Sequence, residues 1–274
     1  MVGNAKLPGV SGFCSRVHWH FWRLVRTVCL GLFRYVVAHP MEVGPQSVLI
    51  FSPHQDDETL GCGGLIALKR RGGASVHIAF LTDGSRGCGE ASLYSPEHLV
   101  ETRRCEAIAA LDVLDVEASH LTFLNAPDGA LASLDTAQKL ELLHSLEDLL
   151  CEVKPDQVLL PFRQDNHPDH RATYRLVQEA LKRSKATPQL FFYPIWALEA
   201  PWRANLRWSE FRGARYLRVG DVLERKRAAL REYRSQVEPQ PPNGRLGLSP
   251  GFLQLFLKDY ELYLVDDKTR ESAR

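Results

Sequence analysis

Several familiar signatures are missing from this chain, and each absence removes a class of function. Cysteine occurs six times in 274 residues, at 14, 29, 62, 88, 105 and 151, with no C-x-x-C spacing and no compact framework. That usage fits a reduced cytosolic compartment. The net charge is only +1, so there is no electrostatic footprint for nucleic acid. No G-x-S-x-G elbow occurs, which leaves a serine-nucleophile scheme without support. No uninterrupted apolar run is long enough to span a bilayer. The nearest stretch, His18 to Val37, is aromatic and carries Arg23, Arg26 and Arg34. It also lacks the small-residue cleavage site of a secretory signal. Two readings of this segment stay open. It is a helix packed on the domain or a partner subunit, or it lies on an anionic membrane surface through its basic face.

What is present is an ordinary globular composition, 45% hydrophobic and 24% charged, enough for one large α/β domain. The expected organisation is an N-terminal segment, 1–45, followed by a domain over 46–274. Its motif-bearing core is 46–195, and 196–274 shapes the substrate end. Short apolar runs at Ser47–Phe51, Ser75–Leu81, His120–Leu124, Val158–Pro161 and Leu190–Ile195 read as strands. Helical periodicity covers Glu58–Arg71, Pro96–Leu111, Leu134–Val153 and Arg171–Arg183, with Leu140, Leu142, Leu143, Leu146, Leu149 and Leu150 as the stripe of the third. Alternating strands and helices imply a mainly parallel sheet covered on both faces, with ligands bound beyond the strand carboxyl ends. The segment Trp196–Arg215 has no clear assignment. Asp221–Arg234 reads as a basic helix, Glu238–Pro250 as a loop and Gly251–Val265 as a closing apolar segment.

Two polar clusters sit where strands end. Pro53-His54-Gln55-Asp56-Asp57-Glu58 follows the first run, and Asp165-Asn166-His167-Pro168-Asp169-His170 follows Val158–Phe162. Adjacent carboxylates repel unless a cation, solvent or helix N-terminus compensates them. His54, Asp57 and His170 together would hold a divalent metal with positions left open, the pattern of a catalytic zinc. Asp56 is then the candidate general base, and His167 the group that steadies an oxyanion or protonates a leaving amine, with Asp169 orienting its ring. The chemistry is metal-assisted hydrolysis of an amide. Each residue also has an ordinary use: Asp56, Asp57, Asp165 or Asp169 as helix caps, and Glu58 as first-turn complement to the helix dipole.

These residues carry a resemblance. Pro53 to Glu58 with Gly61-Cys62-Gly63-Gly64 resembles the P/A-H-P-D-D-E…G-G signature of the LmbE-like (PIG-L) N-deacetylases. His167-Pro168-Asp169-His170 resembles that family's second motif. Thr82-Asp83-Gly84, Arg103-x-x-Glu106 and Pro127-Asp128-Gly129 resemble further landmarks in the same order. Gln55 departs from the pattern, standing where the family usually has proline. The resemblance implies a Rossmann-like fold and zinc, or another divalent metal such as Fe2+, Mn2+ or Co2+, at His54, Asp57 and His170. It implies Asp56 as base, His167 and Asp169 as stabilising pair, and Arg103 and Asp128 as sugar contacts. The implied substrate is an N-acetylglucosamine-type amino sugar or its conjugate. The expected protein is cytoplasmic, open to peripheral contact with the inner membrane face through residues 18–37 and to homo-oligomerisation.

Two rivals come from other classes. A two-His-one-carboxylate iron oxygenase would use His54, Asp56 and His170, but that chemistry sits in β-barrels. An inactive or binding-only relative at a membrane surface is the non-enzymatic alternative. A dinucleotide site fails because Ile66 stands at the third position of G-x-G-x-x-G and the acidic cluster would repel a pyrophosphate.

Overall fold

The computed structural model describes residues 38–87, 95–201, 213–239 and 247–265. The N-terminal helix expected over 18–37 lies outside them. The strands are β1 (His39–Pro40), β2 (Val48–Ser52), β3 (Val76–Thr82), β4 (Leu121–Ala126), β5 (Gln157–Pro161), β6 (Gln189–Tyr193), β7 (Arg215–Arg218) and β8 (Tyr260–Val265). They form one sheet in the order β4-β3-β2-β5-β6-β8-β7-β1. Pairings from β4 through to β6 are parallel, whereas β8 runs antiparallel to both β6 and β7. β1 pairs with β7, so residues 39 and 40 join the same sheet as the domain that follows.

The helices are α1 (Asp57–Arg71), α2 (Pro96–Val113), α3 (Thr136–Val153), α4 (Pro168–Ser184), α5 (Trp196–Glu199), α6 (Leu223–Glu232), α7 (Arg234–Val237) and α8 (Pro250–Leu253). Successive residues of β2 point to opposite faces, and both faces are covered. Val48 and Ile50 pack into the core beneath α1, α2 and α6, while Leu49 and Phe51 pack into the core beneath α3 and α4. This is the mainly parallel, doubly covered sheet that the alternation of elements implies. The leucine stripe of α3 is buried at Leu142, Leu143, Leu146, Leu149 and Leu150, but Leu140 turns outward and is 44% exposed. A capping box between Asp135 and Gln138 starts that helix two residues later than its first leucine suggests.

The chain leaves β2 for β3 and β4 on one side, then returns to place β5 and β6 on the other. β2 and β5 are therefore neighbours at the point where the winding reverses, and their carboxyl ends open a crevice. His54 to Asp57 leave β2 there, and Asp165 to His170 leave β5 there. Among the described residues no helix is long and apolar enough to cross a membrane.

Candidate metal centre

α1 is buried along most of its length, so its first turn is fixed from every side. Gly61 allows this by close packing: a Cβ there would sit 2.5 Å from the Tyr193 ring. The residue before the helix, Asp56, holds φ at 149°, a conformation that side-chain-bearing residues rarely adopt. Its surroundings enforce it. Glu58 Oε2 accepts the Asp56 N–H at 3.1 Å, and the Leu60 N–H donates to the Asp56 carbonyl at 2.8 Å. Glu58 is in turn held by Ser52, Thr59 and the Tyr233 hydroxyl. Glu58 is thus a buried clamp on the loop, a role beyond the dipole complement that its first-turn position suggests.

Asp56 occupies the N-cap position, yet its carboxylate makes no capping hydrogen bond. It faces Arg103 instead, 3.3 Å from Nη2. Burial pushes its pKa up to about 7, with Arg103 pulling the other way and Asp57 adding to the rise. Arg103, a helix residue that could have been a surface arginine, is buried and also donates to the Gln55 carbonyl at 2.7 Å.

The Asp57 carboxylate lies between two imidazoles. Its Oδ2 is 3.0 Å from His54 Nδ1 and 3.1 Å from His170 Nε2. The far nitrogen of each ring faces another carboxylate. His54 Nε2 is 3.2 Å from Asp128 and 3.3 Å from Asp169, while His170 Nδ1 is 3.6 Å from Asp165. Ligating histidines show this second carboxylate, which fixes the ring and its tautomer. Both ring nitrogens of His170 are buried without a well-formed hydrogen bond. Burial lowers the His54 pKa, but the hydrogen bonds that its ring donates to Asp128, Asp169 and Asp57 outweigh it and carry the value well above the ordinary one. The point between the rings is one where positive charge is favoured. Two imidazole nitrogens and a carboxylate oxygen are a donor set of the kind that a divalent zinc takes. Among the described residues two donor groups have ligand atoms all within 4.8 Å of one another, His54 with His167 and His170, and His54 with Asp128 and Asp169; they share His54, and Asp57 belongs to neither.

His167 and Asp169 meet differently from the expectation. α4 begins at Pro168 rather than Arg171, which makes His167 the N-cap and puts Asp169 and His170 in the first turn. His167 Nδ1 accepts the backbone N–H of Asp169 at 3.2 Å, so Nε2 carries the ring hydrogen. The Asp169 carboxylate does not touch that ring through a hydrogen bond. It accepts the N–H groups of Gly129 and Leu131 and approaches His54. Burial, then the nearby His54 and His170, lowers the His167 pKa to about 4. At neutral pH it is an uncharged hydrogen-bond donor. Asp165, which the sequence offers as a cap for α4, spends its carboxylate on the N–H groups of His167, Ile195 and Ala197. Its link to the start of α5 leaves no signal in the local sequence.

His54, Asp56, Asp57, Arg103, Asp128 and His167 line a cavity of about 610 Å³, whereas His170, Asp165 and Asp169 are fully buried. Asp128, on the turn after β4, holds the Arg86 N–H as well as His54.

The GlcNAc-PI de-N-acetylase (PIG-L) pattern matches residues 49–181, which hold both polar clusters in their order. Residues 49–181 are a PIG-L family domain. It is 32% identical over 143 residues to the probable N-acetyl-alpha-D-glucosaminyl L-malate deacetylase 2 of Bacillus subtilis, a match covering 51% of this chain and 62% of that protein. It is also 28% identical over 218 residues to the 4-oxalmesaconate hydratase of Pseudomonas putida, covering 70% and 78% of the two chains. In structure it resembles a conserved protein of Thermus thermophilus, with a TM-score of 0.52, 31% identity and coverage of 70% and 80%. The proteins that this chain resembles thus include one named for deacetylation and one named for hydration, and the site must decide between them.

Proposed function

We propose that this PIG-L protein is a metal-dependent N-deacetylase of an N-acetylglucosamine-type amino sugar or its conjugate, with zinc as the metal. The observation that carries the reading is the Asp57 carboxylate between His54 Nδ1 and His170 Nε2, beside a strained, buried Asp56. A divalent metal held by His54, Asp57 and His170 would polarise the acetyl carbonyl and make water a better nucleophile.

The remaining work falls to the chain's own residues. Asp56 accepts the proton of the attacking water, and its raised pKa, about 7, suits a base that must later return a proton. Arg103 orients that carboxylate. His167, neutral with hydrogen on Nε2, donates to the oxygen where negative charge develops. Protonation of the leaving amine falls to Asp56 once it has taken up the water proton, because a ring with a pKa of about 4 is uncharged at neutral pH. Asp128 and Asp169 keep the His54 ring in place, and Asp128 also lines the cavity where a sugar hydroxyl would reach it.

Elemental analysis of protein purified without chelator, paired with acetate and free-amine release from N-acetylglucosamine conjugates, tests the reading. About one zinc per chain with chelator-sensitive release is the expected result. Bound metal with no acetate from any amide, but water addition to an unsaturated dicarboxylic acid, would move the protein to the hydratase branch. No metal under any loading condition would remove the proposal.

A further inference from the structure

Tyr233 stands between α6 and α7, closing the one and opening the other. This corner lies outside residues 49–181, yet it turns three buried side chains inward. The Tyr233 hydroxyl donates to Glu58 Oε1. The Ser235 N–H and hydroxyl donate to the two carboxylate oxygens of Glu106, at 2.6 and 2.7 Å. Gln236 reaches the cavity wall.

The first contact bears on the Asp56 backbone. A residue with a side chain keeps a φ of 149° only where its neighbours hold it there. One such hold is the Asp56 N–H, which donates to Glu58 Oε2. That oxygen is aimed by whatever fixes the rest of its carboxylate. Ser52 has a single hydroxyl hydrogen, and its oxygen lies 2.7 Å from the His54 carbonyl against 3.3 Å from Glu58 Oε2, so the hydrogen goes to His54. Thr59 is the next residue of α1 and moves with Glu58. Among the described residues, Tyr233 is the side-chain partner that ties this carboxylate to a distant part of the chain, 175 positions away.

The same corner fixes the partner of the Asp56 carboxylate. Arg103 and Glu106 are three residues apart on α2 and share a face. Ser235 holds Glu106, and Arg103 reaches Asp56 at 3.3 Å. The corner therefore acts on the Asp56 backbone through Glu58 and on the guanidinium through α2. The carboxylates that face His54 and His170 are instead Asp57, Asp128, Asp169 and Asp165, so those rings are steadied apart from it.

We infer that Tyr233 is a positioning residue for the base. Its hydroxyl, acting through Glu58, holds Asp56 in the strained conformation that sets its carboxylate beside Arg103 in the cavity. The inference rests on the N-deacetylase reading, in which Asp56 takes the proton from water.

Tyr233→Phe keeps the packed ring and removes only the hydroxyl. Acetate release from an N-acetylglucosamine conjugate by the zinc-loaded variant should show kcat lowered roughly tenfold or more, the scale of a misplaced catalytic group. KM and zinc content should stay close to wild type. In an Asp56→Ala background, where no base is left to misplace, the same change should alter the residual rate by less than about twofold. The Asp56 amide resonance, shifted by its bond to a carboxylate, should move in Tyr233→Phe whatever the turnover. Glu58→Gln supplies the same readouts should Tyr233→Phe fail to fold. A kcat within about twofold of wild type overturns the inference, and so does an equal loss with and without Asp56. Loss of zinc would overturn it too, by placing the clamp on Asp57 rather than on the base. A wild-type protein that binds zinc and releases no acetate sinks the deacetylase reading instead. The amide resonance then still decides the clamp: a shift supports the hold of Tyr233 on the loop, and an unmoved peak removes it.

Discussion

Two regions of this molecule bury carboxylates in opposite ways. At the junction of β2 and β5, Asp57, Asp128, Asp165 and Asp169 converge on the imidazoles of His54 and His170, while Asp56 beside them pairs with the Arg103 guanidinium. Under the C-terminal strands, Glu261 meets a complete set of donors. Its carboxylate accepts the Lys226 ammonium at 2.7 Å, the Tyr263 hydroxyl at 2.6 Å, and the N–H groups of Gly64 and Leu65 at 2.7 and 2.9 Å. Lys226 also donates to the Leu60 carbonyl. The second arrangement is closed, with each charge spent on the protein. In the first, five carboxylates face the Arg103 guanidinium and two imidazoles. Burial alone therefore does not mark a functional carboxylate; an unmatched cluster in an open cavity does.

The difference predicts how each region fails. Asp56→Ala should lower kcat by roughly 10²–10⁴-fold, the usual contribution of a positioned base, while zinc content stays near wild type. His170→Ala should lose the metal itself, read by elemental analysis of the purified variant. Full turnover by Asp56→Ala would leave the site without its assigned base. At the closed cluster, Lys226→Met strands the Glu261 charge and should cost about 3–5 kcal/mol of stability in denaturant unfolding. The kcat of its folded fraction should remain close to wild type. A rate defect larger than the stability defect would show that the C-terminal cluster takes part in the chemistry, and the contrast between the regions would collapse.

That contrast also explains what is legible in the sequence. The parallel core can be read because strand and helix periods are local, and both polar clusters sit within a few residues of a strand end. His54, Asp56, Asp57 and His170 stand out for that reason. Glu261 and Lys226 do not, since neither has a local pattern and they meet across 35 residues. Lys226 even sits in a stretch that reads as an ordinary basic helix. Tyr233 reaches Glu58 over 175 positions with no trace in either neighbourhood. Periodicity places the start of α4 three residues late, because Pro168 looks like part of a loop and is in fact the first helical residue. That small shift changes the partner of His167 from a carboxylate to a backbone N–H. The antiparallel return of β8 depends on long-range pairing with β6 and β7, which no local period encodes.

The site can be sharpened further through the Arg103–Asp56 pair. In the proposed mechanism Asp56 works as a base only when ionised, so kcat/KM should fall as pH drops through the pKa of the buried carboxyl. Arg103 lowers that pKa against the larger effect of burial. Arg103→Gln removes the positive charge, so the acid limb of the pH–rate profile should move to higher pH. Activity at pH 7 should fall more than activity at pH 9. A limb that stays put, or moves to lower pH, would detach Asp56 from the profile.

The smallest effect is expected at Gln55, where this chain departs from the family's usual proline. The side chain is buried and its Nε2 donates to the Thr82 carbonyl at 2.9 Å, tying the loop after β2 to the end of β3. Its Oε1 is buried without a partner, which offsets part of that gain. Proline would stiffen the loop through the unfolded chain, lose the bond to Thr82 and remove the unpaired oxygen. These terms oppose one another, so Gln55→Pro should change stability by no more than about 1 kcal/mol. Neither ring of the His54–Asp57–His170 set is hydrogen-bonded to the Gln55 side chain, and zinc content and the pH limb should stay where they were. A Gln55→Pro variant that lost metal would show that the loop's hold on Thr82, and not only the clamp from Glu58, sets the geometry of the centre.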